Sequence, residues 1–388
     1  MPADKDARVS RRGAERWAKG HPWIYASDVE REPGAAGVVA VTDHRGKTIG
    51  QALYSPASEI RLRLLEADPA ATVDGAWWRG RIEQAVARRR GIDATAYRIV
   101  HAEGDGLPSL VVDRYDRWLV VQLLSAGLET VRADLLAALV AVIEPSGILL
   151  RNDVAVRRRE GLAEEVIAVH GSVPADIEVR EGPIRFLAAP WTGQKTGAFL
   201  DQRSNRLRAG ELMVAGGRAL DCFSYHGSFA LHLARRAGSV VALDVSTEAL
   251  QRGAQNALLN GFGNIRWHEA DAFEALREFG RARQRFDLVV VDPPAFAKSK
   301  AALPQAIRGY KDINLHALRL VEPGGLLLSA SCSFHLRWPD FLAMIADAAR
   351  DSGRRVTMVD HLAQAPDHPE VVTIPETGYL KAAVLRVD

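Results

Sequence analysis

Hydrophobic positions from about residue 184 onward form short apolar runs that alternate with longer amphipathic stretches. The runs "RALDCF", "SVVALDVS", "FDLVVVD" and "GLLLSASC" are apolar almost throughout. Strands of this kind are typical of a parallel sheet that helices cover on both faces. The final stretch, "VVTIPETGYLKAAVLRV" (371–387), predicts two more strands joined by a turn, which would give the sheet an antiparallel edge. The second half of the chain is therefore predicted to have an α/β, mostly parallel, doubly covered sheet.

The first half of the chain has a different pattern. Near the start, the short apolar runs "AGVVAVTD", "TIGQALYS" and "EIRLRLL" are separated by Gly, Asp and Pro, which indicates a small β-rich module. Helical and strand patterns then mix, as in "AWWRGRIEQAVARRR" followed by "SLVVDRY", which favours an α+β domain. We predict three domains, with boundaries at 1–68, 69–182 and 183–388.

Four successive predicted strands of the last domain end at or just before an aspartate: Asp221, Asp244, Asp271 and Asp292. Ligands of open parallel sheets bind at the carboxyl ends of the strands, so these side chains are expected at one rim. Each acid alone is equally well explained as a helix N-cap. Asp244 follows Asp221 by 23 residues, the usual spacing for an acid that binds a ribose hydroxyl. Asp271 could accept a hydrogen bond from an adenine amine.

The loop after the first strand of this sheet, "CFSYHGSF", argues against a dinucleotide ligand. Of the glycine fingerprint that a pyrophosphate needs, only Gly227 is present. A smaller nucleoside ligand without phosphates fits better, and together with the four acids this indicates S-adenosylmethionine. We predict that Phe223, Ser224 and Gly227 contact this cofactor. The upstream stretch 191–206 contains Gln194 and Lys195 and is predicted to cap it, with a domain linker as the alternative.

The stretch "DPPAFAKSK" that follows the fourth strand has the features of a base pocket. Pro293 and Pro294 hold the backbone extended and remove two donors, which leaves Asp292 and carbonyls as acceptors. Phe296 offers a face on which a base could stack. Lys298 could contact a phosphate. An acceptor-rich wall of this kind suits a nucleobase that presents an amine.

Cys332 ends the next apolar run, "LLLSASC", and would lie beside Asp292 if the two strands are neighbours. A thiolate that adds to carbon 6 of a pyrimidine makes carbon 5 nucleophilic enough to take a methyl group. Asp292 could then take up the developing charge at N3. A buried cysteine that only fills space is the alternative, and this is our interpretation of Cys222.

Composition and charge narrow the class of protein only slightly. The net charge of +2 over 388 residues does not by itself predict a nucleic-acid partner. Arginine clusters at 77–91, 154–162 and 281–286 could face phosphates, or could simply be solvated helix faces. Two cysteines, distant in sequence, favour a reducing cytoplasm over a disulfide scaffold. No apolar run has membrane-spanning length, and the first residues are too polar for a secretory signal.

Taken together, "GQKTGAFLDQR", "DCFSYHGSFALHLA", "LDVS", "ADAF", "DPPAFAKSK", "SCS" and "GYLKAAVL" resemble the bacterial large-subunit ribosomal RNA methyltransferase I family. That resemblance covers the whole chain. It implies a PUA domain, a small RNA-binding β-barrel, before an α+β central domain and a Rossmann-like class I methyltransferase domain. It further implies an S-adenosylmethionine-dependent cytosine-C5 methyltransferase, with Cys332 as nucleophile and Asp292 as the acid that orients the base. Asp221, Asp244 and Asp271 match cofactor positions.

The resemblance makes 23S ribosomal RNA, or a large-subunit precursor, the expected partner, with no membrane and with a homodimer left open. Two other functions stay open. The first is methylation of an RNA amine or ring nitrogen, which needs no thiol. The second is a non-catalytic RNA-binding factor for ribosome assembly, against which the five intact residues at the strand ends argue.

Overall fold

The computed structural model describes residues 6–297 and 299–388. The chain folds into two compact units. The first comprises the chain up to Val179 together with 188–200 and 367–377, and the second comprises 180–187, 201–366 and 378–388.

The first unit contains two sheets, each mostly antiparallel. One has the strand order β2-β6-β5-β4-β1-β3 and the other β11-β10-β9-β8-β7, in the following numbering. The strands are β1 (Asp6–Val9), β2 (Trp23–Tyr25), β3 (Val29–Arg31), β4 (Gly37–Thr42), β5 (Thr48–Tyr54), β6 (Ile60–Glu66), β7 (Ala96–His101), β8 (Leu110–Tyr115), β9 (Trp118–Leu123), β10 (Gly147–Arg151) and β11 (Val166–Gly171). The helices are α1 (Arg11–Ala18), α2 (Gly75–Arg88), α3 (Ala126–Glu129), α4 (Arg132–Ile143) and α5 (Ala155–Arg159). A hairpin of β12 (Ile177–Glu181) and β13 (Ile184–Ala188) follows.

The second unit is built on one sheet with the strand order β16-β15-β14-β17-β18-β20-β19. Its strands are β14 (Arg218–Cys222), β15 (Ser239–Asp244), β16 (Ile265–Glu269), β17 (Phe286–Val291), β18 (Val321–Ser331), β19 (Val356–Ala363) and β20 (Lys381–Val387). Its helices are α6 (Arg203–Leu212), α7 (Ser228–Ala234), α8 (Thr247–Leu259), α9 (Ala272–Arg281), α10 (Leu303–Leu320) and α11 (Trp338–Ser352). The strands from β14 to β18 run parallel, and β20 is antiparallel to both its neighbours.

Burial on both faces explains why these strands are apolar almost throughout. Along β17, Val289 and Val291 pack into the core formed with α9, α10 and α11. The alternate residues Leu288 and Val290 pack into the core on the other face, which includes residues of α6 and α7. Alternate side chains of a strand point to opposite faces, so both sets must be apolar.

The strand order places a topological switch point between β14 and β17. From β14 the chain moves outward through β15 to β16, then crosses back to β17 and continues in the opposite direction. Helices leave the rim on opposite faces at this point, which opens a crevice beyond the strand ends. A ligand site is therefore expected next to Asp221 and Asp292.

The predicted strand within residues 371–374 is wrong. Val371 and Ile374 form only an isolated bridge, a 3₁₀ turn follows at Pro375–Thr377, and this segment belongs to the first unit. The edge of the sheet is instead β19, which pairs with β20. The side chains of β19 alternate between exposed and half-buried, so its sequence lacks the apolar run that marks the inner strands.

Candidate active site

Three of the predicted acids lie at the same rim of the sheet in the second unit. Asp221 lies in β14, Asp244 ends β15, and Asp292 directly follows β17. The charges of Asp292 and Asp244 both act to raise the pKa of Asp221. The strand ends therefore bring these three carboxylates close together, as the sequence predicts.

Asp221 is fully buried, and burial is the main cause that raises its pKa well above the ordinary value. Its Oδ2 accepts a hydrogen bond from the Ala230 backbone N–H at 2.9 Å, which partly opposes the rise. Its Oδ1 accepts none from any residue that the structure describes. A buried carboxylate oxygen without a donor is costly, so this atom suits a ligand that supplies a donor or a positive charge.

The loop after β14 has a strained backbone. Phe223, Tyr225 and Gly227 have φ values of 64°, 49° and 76°. The conformation is unfavourable for the two aromatic residues, and such strain concentrates at ligand sites. Gly227 also has no room for a side chain, because a Cβ there would overlap the indole of Trp267. The Oγ of Ser224 is buried without a partner among the described residues, so a second polar atom in this loop could bind a ligand.

Asp244 and Asp271 hold backbone segments in place at the same rim. Asp244 accepts hydrogen bonds from the N–H groups of Tyr225 at 2.8 Å and of Ser246 at 3.0 Å. Asp271 is exposed and caps the N-terminus of α9 through the N–H groups of Phe273 and Glu274. The structure thus gives Asp271 the N-cap role that we set beside a cofactor contact.

A buried amide chain orients Asp292. Gln202 is 3% exposed, and its Nε2 donates to Asp292 Oδ1 at 2.8 Å. Its Oε1 accepts from Asn205 Nδ2 at 2.6 Å, which fixes which end of the amide faces the carboxylate. Gln202 lies in the stretch 191–206, which the sequence predicts to cap the cofactor, but that prediction names only Gln194 and Lys195.

A buried ion pair lies behind this amide chain. Arg206 donates to both oxygens of Glu181, at 2.7 Å and 2.5 Å, and His232 Nε2 lies 3.0 Å from the same carboxylate. Burial opposes ionisation of Glu181, yet Arg206 and His232 lower its pKa to about 2. The charges of Asp201 and Asp292 also raise the pKa of Arg206, so this cation adds positive potential near the rim.

Cys332 follows β18 in a turn that is fixed from two sides. Cys332 is half-exposed, whereas the serines on either side of it are fully buried. The Ser333 Oγ lies 2.8 Å from the hydroxyl of Tyr310 and accepts from the Ala297 N–H at 3.1 Å. Lys381 Nζ donates to the Ser333 carbonyl at 2.8 Å. These contacts tie the turn with Cys332 to the segment that follows Asp292.

The β17–β18 pairing brings Asp292 and Cys332 to adjacent strand ends. Val291 pairs with Ser329, so Asp292 lies one residue beyond this pair and Cys332 three residues beyond it. The two strands are parallel neighbours, separated by about 4.8 Å.

Cys222, by contrast, is fully buried, and burial raises its pKa well above the ordinary value, as expected of a cysteine that fills space.

The proline segment borders a cavity of about 830 Å³, and neither Asp292 nor Cys332 is among the described residues that line it. Pro294 and Phe296 line it, whereas Pro293 is buried. The ring of Phe296 is half-buried and lies 4.6 Å from that of Tyr310, with Phe273 at 6.1 Å. Part of one face of this cavity is therefore aromatic, as a site for a nucleobase requires.

The remaining predicted residues are placed less directly. Gln194 and Lys195 belong to the first unit, where the Lys195 ammonium lies over the ring of Phe199. A role for either residue at the cofactor stays a prediction. Lys298 lies outside the described residues.

Comparison with known proteins identifies the family. A family model for S-adenosylmethionine-dependent methyltransferases matches residues 154–386, and one for PUA-like domains matches 7–67. Proteins named ribosomal RNA large subunit methyltransferase I from Citrobacter koseri and Shigella boydii are 41% and 40% identical to this chain, over 95% of both sequences. The chain belongs to the ribosomal RNA large subunit methyltransferase I family. This confirms the predicted resemblance.

Solved structures agree on the fold. A protein from Streptococcus mutans described as a SAM-dependent methyltransferase is 18% identical and has a TM-score of 0.83, over 98% of this chain and all of that one. A methyltransferase solved with SAH, also 18% identical, gives 0.84 with the same coverage. The predicted fold class, a class I methyltransferase sheet preceded by a PUA-like domain, is confirmed.

S-adenosylmethionine is the cofactor of this family, and the rim fits it. Its ammonium and sulfonium groups are positively charged, which complements the buried Asp221 and its acidic neighbours. The ammonium group is also a hydrogen-bond donor, and Asp221 Oδ1 has no donor among the described residues. Among the described residues, no helix combines the length and the apolar character needed to cross a bilayer.

Proposed function

We propose that the protein transfers a methyl group from S-adenosylmethionine to carbon 5 of a cytosine in 23S ribosomal RNA. Cys332 is the nucleophile and Asp292 the residue that orients the base. Names of the relatives support ribosomal RNA of the large subunit as substrate. The choice of carbon 5 rests on this chain's own residues at the ends of β17 and β18.

The observation that carries the proposal is a half-exposed thiol held beside an oriented carboxylate. Tyr310 and Ser333 connect the Cys332 turn to the segment after Asp292, so the two groups cannot separate without breaking buried hydrogen bonds. Nucleophile and acid must be held in a fixed geometry for covalent catalysis. Methylation of an exocyclic amine would need the carboxylate alone.

The chemistry follows from these two residues. The Cys332 thiolate forms a bond to C6 of the cytosine, and the electron density this adds makes C5 nucleophilic. Asp292, held through Oδ1 by Gln202, donates a proton from its other oxygen to N3, where negative charge develops, and takes it back when the C6–sulfur bond breaks. S-adenosylmethionine, when bound, supplies the electrophilic methyl group that C5 receives. Loss of the C5 proton to a base then lets the C6–sulfur bond break, which restores the aromatic ring and the thiolate.

The test combines product analysis with cysteine variants. Ribosomal RNA that lacks the modification is incubated with the enzyme and labelled S-adenosylmethionine, digested to nucleosides and separated by mass. We expect 5-methylcytosine from the wild type and a loss of at least a thousandfold in rate for Cys332→Ala, since the covalent step is then absent (about 4 kcal/mol in the barrier). Cys222→Ala is the matched control, because it removes the other, buried thiol and should leave the chemistry intact.

Three outcomes would contradict the proposal. A labelled base other than 5-methylcytosine, formed equally well by Cys332→Ala, would favour amine or ring-nitrogen methylation. No labelled product, together with no binding of S-adenosylmethionine, would favour a non-catalytic assembly factor. RNA with 5-fluorocytosine at the target should trap the enzyme covalently, because fluorine blocks loss of the C5 substituent; absence of that adduct would reject the thiol mechanism.

A further inference from the structure

A second cavity, of about 570 Å³, opens in the second unit at the edge of the sheet opposite the candidate active site. The helices α9, α10 and α11 begin near the carboxyl ends of the strands and run back across the sheet, so their last residues lie at its other edge. These ends form the cavity. Among the described residues that line it, the charged and titratable ones are Arg277, Arg281, Arg285, His316, Arg319 and Arg354. We call it the arginine cavity.

Three of the five arginines, Arg281, Arg285 and Arg319, have no acidic partner among the described residues. Arg277 pairs with Asp312 at 2.5 Å, and His316 lies 3.5 Å from the same carboxylate. Arg285 and Arg319 donate to backbone carbonyls at 3.0 and 3.2 Å, whereas Arg354 donates to Val321 O at 3.0 Å and to Asp388 O at 3.1 Å. No carboxylate lines the cavity within the ranges 6–297 and 299–388. A local excess of charge therefore exists in a chain whose net charge is only +2.

The cations of the cavity are close enough to disfavour each other. Burial lowers the pKa of Arg354 and the Arg285 charge lowers it further, while the charges of Glu322 and Asp388 act to raise it. Burial also lowers the pKa of His316; the Asp312 charge opposes this shift, and the charges of Arg277 and Arg319 add to it. The Nη2 of Arg354 is buried without a partner among the described residues. An anion would relieve the repulsion and satisfy this donor.

The helices α9 and α10 contribute residues to the arginine cavity and to the cavity beside Phe296, although the two cavities share no lining residue. Gln305, Arg308 and Asp312 of α10 line the cavity that also contains Pro294 and Phe296. His316 and Arg319 follow on the same face of α10, because residues three and four apart on a helix are neighbours. Asp312, which lines the cavity beside Phe296, pairs with Arg277 of the arginine cavity. Over its 18 residues, α10 spans about 27 Å.

We propose that the groove between α9 and α10 holds the sugar–phosphate backbone of the substrate RNA, with the arginine cavity binding phosphates several nucleotides from the methylated base. The inference rests on the proposed function, since it takes RNA as the substrate. Guanidinium groups match phosphate oxygens in geometry as well as charge. A groove that combines an aromatic end with a cationic end suits single-stranded RNA, whereas a free phosphate would use only the arginine cavity.

The test removes two cations that have no acidic partner among the described residues. Arg281 is exposed and Arg285 half-buried, so Arg281→Ala/Arg285→Ala should fold normally. Binding of a ribosomal RNA fragment is measured across a series of salt concentrations. We expect roughly tenfold weaker binding at moderate salt, and a salt slope smaller by about 1.4, the value for two lost phosphate contacts to a single strand. Affinity for S-adenosylmethionine and the rate at saturating RNA should not change.

Arg235→Ala is the matched control, since Arg235 is an exposed arginine of the same unit that does not line the arginine cavity. An RNA affinity and salt slope equal to those of this control would overturn the inference. So would loss of inorganic phosphate binding with RNA binding intact, which would assign the cavity to a free anion. All binding is measured in the Cys332→Ala background, so the inference survives if carbon 5 proves to be the wrong target.

Discussion

The substitution Asp221→Asn should increase the stability of the protein without cofactor and weaken its affinity for S-adenosylmethionine. The change removes a charge but keeps the shape of the side chain, and the amide oxygen can still accept from the Ala230 N–H. Because burial raises the pKa of Asp221 well above its usual range, ionisation of this group at neutral pH opposes folding. The variant should therefore be more stable than the wild type when both lack the cofactor.

The stability difference between the variant and the wild type should depend on pH. The unfolded carboxyl loses its proton near pH 4, whereas the folded one keeps it to higher pH. As pH rises between these two values, the wild type loses up to about 1.4 kcal/mol of stability for each pH unit. Asp221→Asn lacks this loss, so its advantage should be greatest at neutral pH and vanish near pH 4.

The affinity for S-adenosylmethionine should be weaker in the variant than in the wild type. If Asp221 Oδ1 bonds to a cationic donor of S-adenosylmethionine, its loss costs about 1.5–3 kcal/mol, which is roughly a 10- to 150-fold weaker affinity. Affinity of the wild type should also increase with pH, as the carboxylate forms, and that of the variant should not.

Thermal melts between pH 4 and 8, with and without S-adenosylmethionine, measure the stability, and calorimetric titration measures the affinity. Asp340→Asn, the same change at an exposed position of α11, is the control and should alter neither. A variant less stable than the wild type at pH 7, or one that binds S-adenosylmethionine with unchanged affinity, would refute the reasoning on Asp221.

Two further predictions concern the rim. Gln202→Leu removes the donor to Asp292, and we expect at least a tenfold lower single-turnover methylation rate with unchanged S-adenosylmethionine affinity; a normal rate would show that this bond does not orient the acid. Gly227→Ala should lower the free energy of unfolding by about 2–4 kcal/mol, because the φ of 76° at Gly227 and the Trp267 ring both exclude a side chain. It should also weaken the binding of S-adenosylmethionine. Gly261→Ala, at a φ of 72° with no described atom within 4 Å, is its control and should cost only about 1 kcal/mol in urea titrations.

Local pattern was sufficient to predict the sheet and the acids at its rim. Strands covered on both faces must be apolar almost throughout, and consecutive residues such as 286–291 show this property. Parallel strands also place their carboxyl ends at one edge, so Asp221, Asp244 and Asp292 could be grouped before any coordinates were known. The edge strand β19 lacks such a run, whereas residues 371–374 are apolar enough to predict a strand that does not form.

The arrangement around these acids was decided by tertiary structure alone. Gln202 is distant from Asp292 in sequence, as Glu181 is from Arg206, and no periodicity relates such partners. The cluster 281–286 was visible as a charge pattern, but its union with Arg319 and Arg354 in one cavity depends on where three helices end. Sequence determines which segments can be buried, through local hydrophobicity. Which side chains then meet depends on packing between segments far apart in the chain.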